Sequence, residues 1–205
     1  MAVPPEEAIE RAKARLKERF EESIQRLDNL KNSEVMDELK QLFNKGLQLV
    51  SPEELTGALK GKYSMLQQIE TMIKSANEKI NIITTPEGLM DLYNNHLELL
   101  KKASEKGVKI RIATQPDEKV MDAIRALSGI AEVRLLKEVP VSGRVVVVDG
   151  KQFIFGLTEG VHTTQHIAVW SHSPYAASNL FEPMFELLWD HAVPLGDVIS
   201  SSKAQ

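Results

Sequence analysis

The chain has 205 residues, a formal net charge of −4 and no cysteine, and its 42% hydrophobic and 26% charged residues are typical of a folded globular protein. The acidic balance argues against nucleic-acid binding by the chain as a whole, and the lack of cysteine excludes disulfides, Cys-ligated zinc, iron–sulfur clusters and a cysteine nucleophile. Because no apolar run approaches the roughly 20 residues of a membrane span and the N-terminus is unlike a signal peptide, we expect a cytoplasmic protein without membrane contact.

The first third of the chain is predicted to be helical. From Glu6 to about Lys31 there is neither glycine nor proline, and apolar residues recur at spacings of three and four, which form one helical face. Nothing nearby covers this face, so we expect a coiled-coil-like homodimer; packing on the next helix of the same chain is the alternative. The predicted dimerisation residues are Ile9, Leu16, Phe20, Ile24 and Leu27.

The helical pattern continues beyond this first helix with interruptions. Asn32 and Ser33 interrupt it and can cap a second helix, which Gly46 would end. Residues 51–54 have the capping-box pattern of a further short helix, and another helix is predicted after Gly61. We therefore assign residues 1–58 to a helical arm and dimerisation region.

From Lys79 onward, short β-branched runs alternate with helical segments. A helix is predicted to begin at Thr85-Pro86 and another at Asp117. The predicted strands are residues 79–85, 108–113 and 131–136. Strands that alternate with helices form parallel crossovers, so the sequence predicts an α/β domain, residues 59–195, whose sheet has helices on its faces.

The end of the chain has a different pattern. Asp149-Gly150 lies between two apolar runs, which predicts a hairpin of strands 144–148 and 152–157. A further strand is predicted at 165–171, and a helix at about 177–191. Pro183 is awkward inside that helix, so either the regular helix starts near Phe181 or it is kinked. Residues 196–205 are expected to be a disordered tail.

Residues 59–63 and 69–83, followed in order by 103–112 and 143–151, resemble the C-terminal domain of the TrmB family of archaeal transcriptional regulators. The resemblance implies a phospholipase-D-like mixed sheet flanked by helices and an unknown small-molecule effector. The arm resembles the helix that joins the family's winged helix-turn-helix to its sensor domain. That winged domain is missing here, so the resemblance implies DNA contact only through a domain outside this sequence, either because the chain is truncated or because it is a member without that domain.

Active phospholipase-D-like enzymes have the motif H-x-K-x4-D followed by Gly-Ser. In this chain Asp149 matches the Asp, Arg144 stands at the Lys that neutralises the phosphoryl oxygens, Ser142 stands at the nucleophilic His, and Gly156 matches the Gly. A serine without a base partner is a weak nucleophile, so the resemblance implies a degenerate slot with no catalytic residue. Arg144 and Asp149 could remain as an anion-binding pair; the alternative is that Asp149 is only a hairpin turn residue.

Ligands bind α/β folds at the carboxyl ends of the strands. The candidate ligand-binding residues at predicted strand ends are Thr84, Thr85, Gln115 and His172. Thr85 has the simpler interpretation of a helix N-cap. His162 and His166 have a zinc-like spacing but lack further ligands nearby, so no metal and no cofactor is predicted.

These observations predict an effector-sensing and dimerisation module of a TrmB-like transcriptional regulator that is catalytically inactive. The alternatives are a phospholipase-D-type phosphodiesterase or nuclease, and an architectural interaction protein without a small-molecule effector.

Overall fold

The computed structural model describes residues 5–49, 55–158 and 160–195. The chain divides into two compact units, Met1–Ser51 and Pro52–Gln205. The helices and strands are α1 (Pro5–Lys31), α2 (Glu34–Leu49), β1 (Leu55–Lys60), α3 (Lys62–Ser75), β2 (Lys79–Thr84), α4 (Pro86–Glu105), β3 (Lys109–Thr114), α5 (Met121–Ser128), β4 (Glu132–Leu135), β5 (Val145–Val148), β6 (Gln152–Gly156), β7 (Ile167–His172), α6 (Pro174–Ala176), a π-turn (Ala177–Phe181), α7 (Glu182–Asp190) and β8 (Val193–Pro194).

The first unit consists, in its described residues, of the helices α1 and α2. As predicted, Ser33 caps α2: its hydroxyl accepts a hydrogen bond of 3.3 Å from the backbone N–H of Met36. The prediction that Gly46 ends α2 is wrong, because the helix continues to Leu49. A single glycine costs a helix only about 1 kcal/mol and does not stop it unaided.

The apolar stripe of α1 is exposed within this unit. Its side chains are between 43% and 67% exposed, and they are Ile9, Leu16, Phe20, Ile24 and Leu27. The remaining surface of the helix carries ion pairs one turn apart, such as Arg11 with Glu7 at 2.6 Å, which stabilise an exposed helix weakly. The helix is thus maintained by local interactions while its apolar face stays uncovered.

The second unit contains an eight-stranded mixed sheet in the order β1-β7-β6-β5-β2-β3-β4-β8. The neighbours β2, β3 and β4 run parallel, as the alternation of strands and helices predicted. All other neighbouring pairs are antiparallel. The strand directions therefore place the end of β2 beside the beginning of β5 at one edge of the sheet.

Helices cover both faces of this sheet. The helices α3, α4 and α5 pack on one face, where the alternate strand residues Ile82, Val146 and Val148 are buried. The π-turn and α7 pack on the other face, which buries Val147 and Phe153. Successive residues of β5 face opposite sides of the sheet, and both sides are covered by helices. All residues of this strand are therefore apolar, which explains its unbroken apolar run in the sequence.

The predicted hairpin is confirmed. Asp149 and Gly150 have φ angles of 54° and 63° and connect β5 to β6, and the N–H of Lys151 donates to the carbonyl of Val148 at 3.0 Å. Two adjacent left-handed residues form the type I′ turn that suits the twist of a hairpin.

The beginning of the second unit differs from the prediction. Residues 51–54, with the predicted helix cap, lie outside the described residues, and residues 55–60 form the strand β1 instead of a helix. The arm assigned to residues 1–58 therefore ends earlier, because the last of these residues pair with β7 from Leu55 opposite His172 to Lys60 opposite Ile167. Gly57 disfavours a helix and lies against the ring of Trp170.

The last helical segment begins at Pro174, a few residues before the predicted start at about 177, and a π-turn interrupts it before Pro183. Its regular part, α7, begins at Glu182, which confirms the alternative that the regular helix starts near Phe181. Proline has no N–H for the carbonyl four residues earlier, and a π-turn re-spaces the hydrogen bonds around such a position. The short strand β8, which was not predicted, then pairs with β4. The predicted tail, residues 196–205, lies outside the described residues.

Within the described ranges, every helix is too short or too polar to cross a bilayer.

Candidate functional site

The candidate site lies at the edge where β2 ends. Ile83 pairs with Val145, so the residues one step further, Thr84 and Arg144, are neighbours across β2 and β5. The N–H of Gly156 donates to the carbonyl of Arg144 at 2.9 Å, which places β6 beside them. The helices α3 and α4 both begin at this edge of the sheet.

A small pocket of about 30 Å³ opens at this edge. Two positions of the degenerate motif, Arg144 and Gly156, line it together with the predicted residue Thr85. The other lining residues are Met65, Glu87, Gly88, Asp91, Gly143, Thr158 and His166. The pocket is thus formed by the Lys and Gly positions of the motif and by the first turns of α3 and α4.

Arg144 is the central cation of the pocket. Its side chain is only 10% exposed, and its Nη2 donates to Asp91 Oδ2 at 2.7 Å. Its Nε and Nη1 are buried and find no hydrogen-bond partner among the described residues. A buried donor without a partner costs about 1–3 kcal/mol, and more when it is charged, so this guanidinium has unused donor capacity.

Asp91 also binds Lys62, which begins α3. Lys62 Nζ lies 2.9 Å from Asp91 Oδ1 and 3.1 Å from Glu87 Oε1. Burial by itself lowers the pKa of Lys62, but the two carboxylates outweigh it and raise the pKa above its ordinary value. Arg144, Asp91 and Glu87 line the pocket, and Lys62 does not line it but pairs with both carboxylates.

Gly88 makes room for this cluster. A Cβ at Gly88 would lie 2.1 Å from Thr84 Oγ1 and 2.7 Å from Arg144 Nη2. The side chain of Thr84 is fully buried, and its hydroxyl has no partner among the described residues. Two buried polar groups from different strands thus converge on the space beside the first turn of α4.

Thr85 has both of its predicted roles available. Its hydroxyl accepts a hydrogen bond of 3.2 Å from the N–H of Gly88 and caps α4, and the residue also lines the pocket. Of these two roles, the N-cap is the one for which a hydrogen bond is observed.

Ser142, at the nucleophile position, is exposed and does not line the pocket. None of the hydrogen bonds among the described residues joins its hydroxyl to a base. Among the described residues, Ser142 thus lacks the hydrogen-bonded base that activates a nucleophilic serine.

Asp149 lies at the opposite edge of the sheet, beyond the far end of β5. Its carboxylate accepts three hydrogen bonds of 2.9 Å from the backbone N–H groups of Asn77, Glu78 and Lys79. Burial tends to raise the pKa of Asp149, but these three donors outweigh it and hold the pKa below its ordinary value. The possible anion-binding pair of Arg144 and Asp149 is therefore wrong, and the alternative is confirmed, because Asp149 lies in the hairpin turn with a φ of 54°. Its carboxylate also connects the hairpin to the start of β2.

The two remaining predicted ligand residues lie outside the pocket. His172 ends β7, which runs opposite to β6, so it lies at the same edge as Asp149 and away from Arg144. Gln115 follows β3 at the edge of Thr84 and is half-buried, but it does not line the pocket. The structure thus brings together Thr84, Thr85, Arg144 and Gly156 and separates the others.

His96 lies on α4 close to this cluster and is 2% exposed. Its Nε2 is 3.0 Å from the carbonyl of Leu66, which requires the tautomer that donates from Nε2. Burial lowers the pKa of His96, and this outweighs the hydrogen bond to Leu66, which favours the charged ring. His96 is therefore a neutral, structural histidine.

Sequence reasoning missed Asp91 as a pocket residue and considered His166 only for its zinc-like spacing with His162. Asp91 resembles an ordinary surface residue in the sequence, because a helix position alone does not show what lies opposite. The sequence does indicate that His96, beside the pocket, is buried, because it continues the helical spacing of the apolar residues Leu89, Leu92 and Leu100 on α4. Across the described residues, no group of three or more histidine, aspartate or glutamate side chains is arranged to hold a metal ion.

Comparison with known proteins places this fold. Residues 58–190 match the family described as transcriptional regulator TrmB, EBD N-terminal subdomain. The structure of TrmBL2, an archaeal chromatin protein with a novel mode of DNA binding, is similar with a TM-score of 0.57 and 18% identity over 94% of this chain and 72% of that one. Nuc from Salmonella typhimurium, a phospholipase D family member, is similar with a TM-score of 0.54 and 17% identity over 68% of this chain and 98% of that one. At these identities the likeness shows the phospholipase-D-like fold alone. No curated protein sequence matches the chain significantly.

Proposed function

The chain belongs to the TrmB family of transcriptional regulators, and on that premise we propose that it is an effector-sensing and dimerisation module without catalytic activity. The observation that carries the proposal is the pocket itself. It keeps a buried, incompletely paired cation at Arg144 in a phospholipase-D-like frame, while the nucleophile position holds the exposed Ser142. Such a site can bind without reacting.

The absence of catalysis follows from the missing nucleophile. The test is hydrolysis of a generic phosphodiester such as bis(p-nitrophenyl) phosphate by the wild type and by Arg144→Gln. We expect the same background rate for both proteins. Hydrolysis by the wild type that disappears in Arg144→Gln would instead support the second candidate function, a phosphodiesterase, which the fold of Nuc favours.

Sensing is supported by where the pocket lies. Its walls are the first turns of α3 and α4, so a ligand there contacts both helices and the ends of two strands. A ligand that prefers one packing of these elements would shift the population toward that packing. A thermal-shift screen of metabolites tests this: stabilisation that Arg144→Gln abolishes supports sensing, and no stabilisation by any compound favours an architectural protein.

Dimerisation is supported by the exposed stripe of α1. An uncovered apolar face of this length is typical of a helix that pairs with a second copy. The test is the mass in solution at tens of micromolar of the wild type, of Leu16→Glu/Phe20→Glu, and of the control Gln25→Glu on the opposite side of the helix. We expect dimers for the wild type and the control and a monomer for the double variant. A monomeric wild type would exclude the dimer.

DNA contact is assigned in this proposal to a separate domain of the regulator. The net charge of −4 gives these 205 residues little attraction for a phosphate backbone as a whole. A change of packing in the sensor would then change how the paired arms position the domain that contacts DNA.

A further inference from the structure

We propose that the strand β1 pairs with β1 of a second copy of this chain, so that the sheets of two sensor units join edge to edge. The inference rests on the proposed dimerisation and adds a second contact to it, one that belongs to the sensor unit. Three features carry it: the open edge of β1, the contrast with the other edge of the sheet, and the register in which two copies fit.

The outer side of β1 presents backbone groups for pairing. The N–H of Gly61 donates to the carbonyl of His166 at 2.7 Å, and these two residues continue the register of β1 and β7. In an antiparallel pair every second residue bonds to the neighbouring strand, so the residues between these point their N–H and C=O groups outward. These outward residues of β1, all of them exposed, are Thr56, Ala58 and Lys60. Among the described strands, β7 alone pairs with β1.

The two edges of the sheet differ in how they are protected. Edge strands are usually short, or carry a proline or a bulge, because an open strand invites pairing with another chain. At one edge β8 has two residues, and one of them is Pro194. At the other edge β1 has six residues without proline, pairs with β7 without a bulge, and carries a single charge at Lys60. The edge at β1 is therefore the one that is open to another strand.

A second copy of β1 fits this edge in an antiparallel register centred on Ala58. A two-fold axis at this residue puts Ala58 opposite its own copy and Thr56 opposite Lys60 of the partner subunit. The N–H and C=O groups of all outward residues then find partners, with two hydrogen bonds in each facing pair. The small side chain of Ala58 meets its copy without crowding. Each lysine faces a neutral threonine instead of a second lysine, and like charges directly opposite would destabilise the pair.

The position of β1 in the chain favours a second copy over an unrelated partner. β1 begins at Leu55, shortly after α2 ends at Leu49, so arms that pair as proposed bring two copies of β1 together at a high effective concentration. Both contacts can share one two-fold axis, which gives a closed dimer. Two strands that pair in isolation are only marginally stable in water. The edge contact therefore forms in a dimer that the arms hold together.

The first measurement is residue-resolved amide exchange by NMR, in the wild-type dimer and in the arm variant Leu16→Glu/Phe20→Glu, which we expect to be a monomer. The amides of the outward residues should be protected in the dimer and exchange about tenfold or more faster in the monomer, because there they face solvent. The amide of Leu59 bonds to β7 in either case and should keep its protection. This experiment needs no substitution in β1.

The second measurement is the dissociation constant of the dimer by analytical ultracentrifugation at low salt. Thr56→Lys places a lysine opposite Lys60 of the partner subunit and should raise the dissociation constant several-fold, whereas Thr56→Glu should lower it. Both variants lose the same hydroxyl contact with Ser171, so their difference reports the charge. Thr56→Lys/Lys60→Glu reverses both charges and should restore tight association. The control Asn94→Lys adds the same charge at an exposed position of α4 and should leave the dissociation constant unchanged.

Outward amides that exchange as fast in the wild-type dimer as in the monomer would overturn the inference. Equal dissociation constants for Thr56→Lys and Thr56→Glu would do the same. Protection of these amides in the monomer would also overturn it, because another part of the same chain would then cover the edge. The proposed dimerisation has a separate outcome: a monomeric wild type removes both proposals, whereas a dimer that is insensitive to every β1 variant leaves the paired arms and removes the edge contact.

Discussion

Replacing Asp149 with alanine tests whether the motif aspartate is a structural residue. The carboxylate accepts hydrogen bonds from three successive backbone N–H groups, at Asn77, Glu78 and Lys79, and so connects the β5–β6 hairpin to the start of β2. Alanine leaves these donors without their acceptor and also has to adopt the left-handed φ of 54°. Both effects destabilise the folded state, and neither involves the pocket at Arg144.

The size of the effect can be worked out from these contacts. Hydrogen bonds to a charged group contribute about 1.5–3 kcal/mol each. Here a single carboxylate accepts all three bonds and solvent screens its charge, so the three contributions do not add fully. The left-handed backbone adds about 1 kcal/mol for alanine. We expect Asp149→Ala to lower the free energy of unfolding by about 3–5 kcal/mol, which lowers the melting temperature by about 6–20 °C in a chain of this length.

Asp149→Asn separates the two contributions. Asparagine tolerates the left-handed backbone and keeps one acceptor oxygen, so it should cost less, about 1–2 kcal/mol. The folded-state pKa of Asp149 lies below its ordinary value, so the wild-type advantage is present above the ordinary pKa and is lost as pH falls through the folded pKa. The difference between the wild type and Asp149→Asn should therefore shrink in acid.

The assay is urea unfolding followed by circular dichroism, with Asp122→Asn as the control because its carboxylate is 95% exposed. The control should change the free energy of unfolding by less than about 0.5 kcal/mol. An Asp149→Ala protein as stable as the control would refute the structural role.

Three further substitutions test other contacts by the same unfolding assay. The folded-state pKa of His96 is lowered, so wild-type stability should decline as pH falls through the ordinary value of about 6.5, and His96→Gln, which can keep the bond to Leu66, should remove this dependence. Gly150→Ala puts a Cβ at a φ of 63° and 3.1 Å from Glu182 Oε1, which should cost about 1–2 kcal/mol. Gly88→Ala places a Cβ 2.1 Å from the buried hydroxyl of Thr84 and should lower the free energy of unfolding by about 1–3 kcal/mol.

Gly129→Ala is the control for both glycine variants. Its built Cβ meets only a carbonyl at the ordinary distance of 3.4 Å, and its φ is −73°, so it should leave stability nearly unchanged. Gly88→Ala or Gly150→Ala that behaves like this control would contradict the packing argument. A pH dependence that survives in His96→Gln would assign the titration to another group.

The central part of the fold could be predicted from sequence because its signals are local. The β-branched runs of β2, β3 and β5, the Asp149-Gly150 turn and the Thr85 cap each decide a structure over a few residues. The strand β1 could not be predicted, because Leu55–Lys60 has little β-branching, contains a glycine and becomes a strand only by pairing with a distant one. Tertiary pairing overrides weak local preference in such segments.

The candidate site was predictable only in part for a similar reason. Motif spacing identified Arg144 and Gly156, and strand ends identified Thr84 and Thr85. The motif spacing also suggested that Asp149 would join Arg144, but the two residues flank a four-residue strand and so lie at opposite edges. The partners of Arg144 come from helix faces, and sequence alone does not say which charged helix residue turns inward.

The pairing of β1 has a consequence for the order of folding. Leu55 pairs with His172, so β1 joins the sheet by closing a loop of more than a hundred residues, whereas β5 and β6 are joined by the three residues 149–151. Such non-local pairing carries the largest loop-closure entropy and forms late. We expect the amides of β1 to exchange with deuterium before those of β2, and this edge of the sheet to be the first to open in the native state.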